Sequence, residues 1–412
     1  MKRHLIGIGG VGMSALATAL VKLGDTVTGA DRNLNTRNIA FLESLGIRCF
    51  PDDGSGVDAE TDEIIVSTAI EDTNAGFAKA KELGIPVTHR AKALSRALEP
   101  FRLVAVVGTC GKSTVTAMLG HVLAECGLDP MCVNGANVPG WLGAVRVPSV
   151  LPVSHSPFPG PRYAVAEVDE SDKSLVAFRP YAAIVTNASA DHYSKEEMDE
   201  VFDAFVKDCP GPVIDARGET YAPEAFNEQN ASLAVRMAVA LGCDESRARE
   251  AMKTFGGVER RLQKYADNVY DDYAHNPEKL RSMWLALKKS HLGPLCAVWR
   301  PHGYAPLRKM LDALAEMFVE TMSPGDRLLL LPVYDAGGTT DRSINSDALA
   351  SRIAELGTGN VEREPKVVTV PSLDAAFKWI SGNRGSFAAF VTCGARDPDL
   401  PALASRIAEI LV

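Results

Sequence analysis

The chain has 412 residues, too many for one ordinary hydrophobic core and enough for two or three domains. Apolar residues make up 46% and charged residues 23%, which excludes a disordered chain, and a net charge of −9 leaves no basic stripe for a nucleic-acid backbone. A local positive pocket for a phosphorylated small molecule is compatible with that charge.

Short apolar runs alternate with helical patterns from end to end, which predicts the α/β class, mainly parallel sheets with flanking helices. The alternation restarts twice, giving three expected domains at 1–100, 101–262 and 263–412. In the first, strands are expected at His4–Ile8, Thr26–Ala30 and Ile64–Ser67, with helices at Val11–Leu23, Ala75–Leu83 and Ala91–Leu98 before Pro100. The second has strands at Leu103–Val107, Tyr163–Glu167 and Ala182–Thr186 and a helix at Asn227–Leu241. Five prolines in 145–162 forbid a helix and argue against a central strand, so that stretch reads as a surface loop. The third has strands at Leu295–Trp299, Arg327–Leu331, Lys366–Val370 and Phe387–Thr392, each followed by a helical pattern.

The start MKRHLIGIGG carries charge but runs into a glycine turn before any sustained apolar stretch, unlike a signal peptide. No segment approaches the roughly 18 to 20 apolar residues that span a bilayer. Eight scattered cysteines without C-x-x-C or zinc spacing read as small buried hydrophobes in a reducing compartment. A cytoplasmic protein without membrane or nucleic-acid partners is expected.

Gly7-Ile8-Gly9-Gly10-Val11-Gly12 fits G-x-G-x-x-G between a strand and a helix, with Asp31 ending the next strand. Such a turn offers helix N-terminal amides to a diphosphate. Alone it reads as the dinucleotide site of a nicotinamide oxidoreductase, as another nucleotide-diphosphate site, or as a tight turn without ligand.

Gly108-Thr109-Cys110-Gly111-Lys112-Ser113-Thr114 follows the strand LVAVV and opens an amphipathic helix. Its amides would cradle ATP phosphates, Lys112 would reach the terminal ones, and Ser113 or Thr114 would ligate Mg²⁺. Glu167-Val168-Asp169-Glu170-Ser171-Asp172 then puts four carboxylates in six residues at a strand end. Beside a phosphate loop such crowding implies a cation. Asn187-Ala188-Ser189-Ala190-Asp191-His192 closes the next strand, and His192 is read as a second metal ligand.

In this order the pieces resemble the Mur ligase superfamily, most closely its UDP-N-acetylmuramate:L-alanine ligase branch. The likeness covers nearly the whole chain: the glycine turn, Ser67-Thr68-Ala69-Ile70, Asn74 and GIPVTHRAKAL, then GTCGKST, EVDESD, TNASADH, Asn227 and Asn230. GGVERR, DDYAHNP, PHGY, YDAGGT and GARDPDLP continue it. The resemblance implies a Rossmann-like N-terminal domain for the UDP-sugar, a P-loop central domain for ATP and a Rossmann-like C-terminal domain for the amino acid.

By resemblance, Gly7, Gly9, Gly10, Val11, Gly12, Asp31, Ser67 and Asn74 would meet UDP-N-acetylmuramate. Gly108 to Thr114 with Asn227, Asn230 and Arg261 would hold ATP, and Ser113, Glu167 and His192 would hold Mg²⁺. Lys112, Glu167, His192, Arg261 and Asp272 would be catalytic; Tyr273, His275 and His302 would meet the amino acid. A carboxylate would attack the γ-phosphate, and an amine would attack the acyl phosphate, under a mobile third domain that excludes water. A muropeptide-recycling ligase, or a nucleotide-binding regulator without turnover, stays open.

Three features depart from the pattern. Only 34 residues separate His192 from Asn227, and Ala225-Phe226 stand where Gly-His is typical. Pro301-His302-Gly303-Tyr304-Ala305-Pro306 lacks the arginines of P-H-R-Y-S-R, for which Arg300 or Arg308 could substitute as carboxylate partner. Cys110 replaces a common histidine, and Lys207 reads as a solvent-facing helical lysine.

Overall fold

Three sheets organise the chain. The computed structural model describes residues 1–71, 73–151, 161–169, 174–188, 195–220, 222–335, 341–357 and 366–411. The first sheet is wholly parallel, in the order β3-β2-β1-β4-β5, from β1 (Lys2–Ile6), β2 (Thr26–Asp31), β3 (Arg48–Pro51), β4 (Glu63–Val66) and β5 (Val87–His89). The second follows the order β11-β10-β6-β9-β7-β8, from β6 (Arg102–Val107), β7 (Met131–Val133), β8 (Val145–Arg146), β9 (Tyr163–Glu167), β10 (Ala182–Val185) and β11 (Val213–Asp215). Among the described residues only the edge pair β7–β8 in it is antiparallel.

The third sheet comprises β12 (Gln263–Ala266), β13 (Val269–Asp272), β14 (Leu295–Trp299), β15 (Arg327–Leu330), β16 (Lys366–Thr369) and β17 (Ala389–Cys393), ordered β12-β13-β17-β14-β15-β16. Among the described residues its one antiparallel pair is β12–β13. The mainly parallel α/β class is therefore as the sequence pattern implies. Parallel strands covered by helices on both faces must be apolar throughout, and Leu103–Val107 is buried along its whole length.

The strands absent from the sequence reading are short. β3, β5, β7, β11, β12 and β13 have three or four residues each, too few to show a period, and β3, β5, β11 and β12 lie at sheet edges. The proline-rich stretch also differs from expectation: Val145–Arg146 pairs with Cys132 and Val133 as β8, because this edge position asks nothing of the prolines that follow. Residues 152–160 of it lie outside the described residues.

Contacts divide the chain into two units, Met1–Thr220 with Glu228–Val258, and Tyr221–Asn227 with Glu259–Val412. In the first unit one apolar cluster joins both sheets, running from Leu5 and Leu16 through Leu94, Leu98 and Phe101 to Ala166 and Phe178. In the second unit Phe318 lies between Trp284 and Trp299, with ring centroids 6.2 and 5.8 Å away. No helix among the described residues is long and apolar enough to cross a membrane. Phe318 is fully buried, so Phe318→Ala should cost about 3–5 kcal/mol, seen in urea unfolding followed by tryptophan fluorescence.

Candidate active site

β6 ends at Val107 and the helix Lys112–Glu125 begins five residues later, so the backbone between must reverse sharply. Gly108 and Gly111 do this with φ of +127° and +84°, which side chains seldom adopt. Space forbids a side chain as well. A Cβ on Gly108 would run into the Thr186 hydroxyl, and one on Gly111 would lie 2.6 Å from Asn230 Oδ1.

The loop is held from the tip of β10. Asn187 Oδ1 accepts from the Thr109 hydroxyl at 2.6 Å and the Cys110 N–H at 2.9 Å, while its Nδ2 donates to the Cys110 carbonyl at 3.0 Å. The Thr186 hydroxyl donates to the same carbonyl at 2.6 Å. The sequence reading assigns no role to Thr186 or Asn187, taking only His192 of the same motif as a functional residue. The signal was a hydroxyl and an amide directly after an apolar strand.

Lys112 Nζ donates to the Gly108 carbonyl at 2.6 Å, folding the ammonium back over the loop. Ser113 and Thr114 are buried in the first helical turn. That helix has no side-chain cap, so its first amides and its dipole face the loop, the arrangement that binds phosphate. Cys110 takes part through its amide and carbonyl, bonds that place no demand on the identity of its side chain.

Glu167 is level with Val106 in the β6–β9 register, so its carboxylate stands at the same sheet end as the loop. It accepts from the Gly135 N–H at 2.9 Å. On its other side β7 pairs Val133 with Ala166, which brings Asn134 level with Glu167. Asn134 is only 3% exposed, yet neither atom of its side-chain amide has a partner among the described residues. The buried Thr116 hydroxyl, one turn into the loop helix, has none either.

Unsatisfied buried polar atoms cost about 1–3 kcal/mol each, a cost that a bound water, ion or ligand relieves. Oxygen groups from Ser113, Glu167 and Asn134 suit Mg²⁺, which favours hard oxygen donors. Among the described residues no three His, Cys, Asp or Glu side chains cluster, and His192 lies outside them. Asn230 is buried against Gly111, and Asn227 precedes it by three residues on the helix Phe226–Ala240. Lys207 is exposed just past the helix Lys195–Val206.

In the first sheet, Asp31 accepts from the Gly9 N–H at 2.9 Å and the Asn33 N–H at 3.1 Å, so the acid braces the glycine turn. Gly7 has φ +76°, and a Cβ there would lie 3.3 Å from Ile70, which puts the Ser67–Ile70 stretch over the turn. A Cβ on Gly12 would meet Arg90 at 3.0 Å. Gly10 precedes Val11, the first residue of a helix with no side-chain cap, which leaves amides open at the turn. Asn74 caps the helix Ala75–Glu82 through the Gly76 and Phe77 amides and donates to Asp52 at 2.8 Å.

In the second unit Asp272 is buried and accepts from the Leu262 N–H at 2.7 Å and the Ala274 N–H at 2.8 Å. Burial raises its pKa, opposed by the nearby Arg261 charge. Arg261 lies 5.0 Å from the Tyr273 ring centre, and Tyr273, His275 and His302 form a chain of edge-on rings at 5.5 and 4.8 Å. The two arginines expected to stand in for the missing ones are engaged: Arg300 pairs with Asp397 at 2.7 Å and Arg308 with Asp341 at 2.8 Å.

Among known proteins, the Mur ligase family, catalytic domain, matches residues 2–102. A UDP-N-acetylmuramate–L-alanine ligase of Cyanothece sp. is 30% identical, over 89% of this chain and 88% of its own. The chain belongs to the Mur ligase family. A relative of the same name from Chelativorans sp. is 27% identical over 95% of each chain. The fold matches the UDP-N-acetylmuramate–alanine ligase of Thermotoga maritima, TM-score 0.79 at 24% identity, covering 99% of this chain and 98% of that one. A murein peptide ligase of Psychrobacter arcticus matches with TM-score 0.64 at 19% identity over 100% and 98%.

Two outcomes follow for this ligase. Asn187→Ala should weaken ATP binding about tenfold or more in equilibrium titration, with unchanged circular dichroism, because it releases the loop at three bonds. Burial also raises Asp271 from 3.8 to about 6, partly offset by Arg260 at 2.9 Å. A raised carboxyl stabilises the fold fully below 3.8 and loses that contribution as pH rises through 6. The stability of the natural chain relative to Asp271→Asn should therefore fall by about 2 kcal/mol between pH 4 and 7 in urea titrations.

Proposed function

We propose that this ligase joins an amino acid, L-alanine by the names of its relatives, to the carboxylate of UDP-N-acetylmuramate in peptidoglycan synthesis, using ATP and Mg²⁺. The observation that carries the reading is the glycine-lysine loop, pinned by Thr186 and Asn187, with Glu167 at the tip of the neighbouring strand.

In this reading the loop amides and Lys112 hold the β- and γ-phosphates, and Asn227 and Asn230 contact the nucleotide. Ser113, Glu167 and His192 hold Mg²⁺, which when bound offsets the charge of the phosphoryl oxygens. Gly7, Gly9, Gly10, Val11 and Gly12, with Ser67 nearby, receive the UDP-diphosphate, while Asp31 and Asn74 brace that turn and the helix beside it. A carboxylate oxygen of the muramate attacks the γ-phosphorus and ADP leaves. The uncharged amine then attacks the acyl carbon, phosphate departs, and the nitrogen loses its proton to give the amide. Arg261 and Asp272 position the reacting phosphate, and Tyr273, His275 and His302 meet the amine substrate. No protein nucleophile takes part.

The test is release of inorganic phosphate with ATP, Mg²⁺, UDP-N-acetylmuramate and a panel of amino acids and short peptides. Release is expected only when both co-substrates are present; none with any amine would contradict the proposal. Lys112→Ala should abolish turnover. Glu167→Ala should lower Mg²⁺-dependent turnover by about 100-fold or more while UDP-sugar binding stays intact.

A further inference from the structure

β14 and β17 are neighbours in the third sheet, yet the helices that follow them lie on opposite faces. Tyr304–Thr321 buries Leu307, Leu314 and Phe318 with Ala297 and Trp299, whereas Leu400–Leu411 buries Leu403 and Ile407 with Val298 and Phe390. Connections that diverge in this way open a crevice at the C-terminal strand ends, the place where open α/β sheets bind ligands. Trp299 and Cys393 are in register, so the two lips are matched: His302 is three residues beyond one and Arg396 three beyond the other.

Arg396 has φ +66°, and the Asp397 N–H donates to the Ala395 carbonyl at 2.8 Å, which makes it the centre of a γ-turn of the rare positive-φ kind. Its neighbours enforce that turn. Arg260 donates to the carbonyls of Gly394 at 2.7 Å and Asp397 at 3.1 Å, and Arg300 pairs with the buried Asp397 carboxylate. A Cβ on Gly394 would lie 2.7 Å from the Arg300 carbonyl, so the approach to the turn is fixed too. A strained residue so firmly held by its surroundings points to use.

The side chain it presents is exposed and has no partner among the described residues. Arg260, Arg300, Arg308 and Arg342, by contrast, are each ion-paired. We propose that Arg396 is the specificity residue that takes the α-carboxylate of the incoming amino acid, on the lip of the crevice opposite the one that carries His302. This rests on the ligase reading and supplies the cation that the segment 301–306 lacks. A guanidinium matches a carboxylate with two parallel bonds, which a lysine cannot.

Arg396→Gly is a clean probe because glycine tolerates the left-handed turn, so the melting temperature should hold or rise. The KM for the amino acid should increase about 10- to 100-fold, with the KM values for ATP and the UDP-sugar nearly unchanged. Arg396→Lys should recover part of the loss. The natural chain should prefer the free amino acid to its amide, and Arg396→Gly should lose that preference. An unchanged KM and an unchanged preference would overturn the assignment. Calorimetric titration of L-alanine against L-alaninamide reads the same preference without turnover, so it separates this assignment from the ligase reading. Loss of the preference in Arg396→Gly supports the role, and equal behaviour of the two chains contradicts it.

Discussion

The chemistry of the first unit depends on how Thr186 and Asn187 hold the Cys110 peptide group. Four hydrogen bonds from the tip of one strand fix the turn that follows the next, and with it the direction of the amides after Gly111. A glycine loop without such support would sample many conformations and lose that freedom on binding. Held in place, it meets a polyanion with its donors already aligned. The approach is so close that Gly108 and Gly111 cannot carry side chains, so the loop sequence and the strand-tip sequence are two halves of one device.

The second unit uses a different means to the same end. Its strand tips are locked by buried charge: Arg260 joins Asp271 to the carbonyls after β17, and Arg300 joins Asp397 to the end of β14. Ion pairs this deep are costly to break, because each partner would be left charged and dry. They gain geometric precision at three neighbouring strand ends. Asp272 is spent differently, on the amides of Leu262 and Ala274, and so shapes the segment that carries Arg261 and Tyr273.

Much of this was legible in the sequence. The central strands announced themselves because burial on both faces demands unbroken apolar runs such as Leu103–Val107, and the two glycine loops because tight turns demand glycine. The edge strands β3, β5 and β11 were not legible, since three or four half-exposed residues carry no period. Two kinds of site residue also escaped. Thr186 and Asn187 act on the backbone of a distant loop, and the local signal, a hydroxyl and an amide after an apolar strand, does not say which loop they hold. Arg396 sits in a turn that sequence rules assign to glycine or asparagine, so GARD gave no turn signal, and only the register of β14 and β17 brings it opposite His302. Asn134 was silent for the same reason, being level with Glu167 only through the pairing of β7 with β9.

In the proposed reaction the held loop and Glu167 direct the γ-phosphoryl group onto a substrate carboxylate. Oxygen transfer reports this directly. With UDP-N-acetylmuramate carrying oxygen-18 in its carboxylate, mass spectrometry of the released inorganic phosphate should find one labelled oxygen per turnover. Phosphate without label, released while amide product accumulates, would mean that no acyl phosphate forms and would contradict the account.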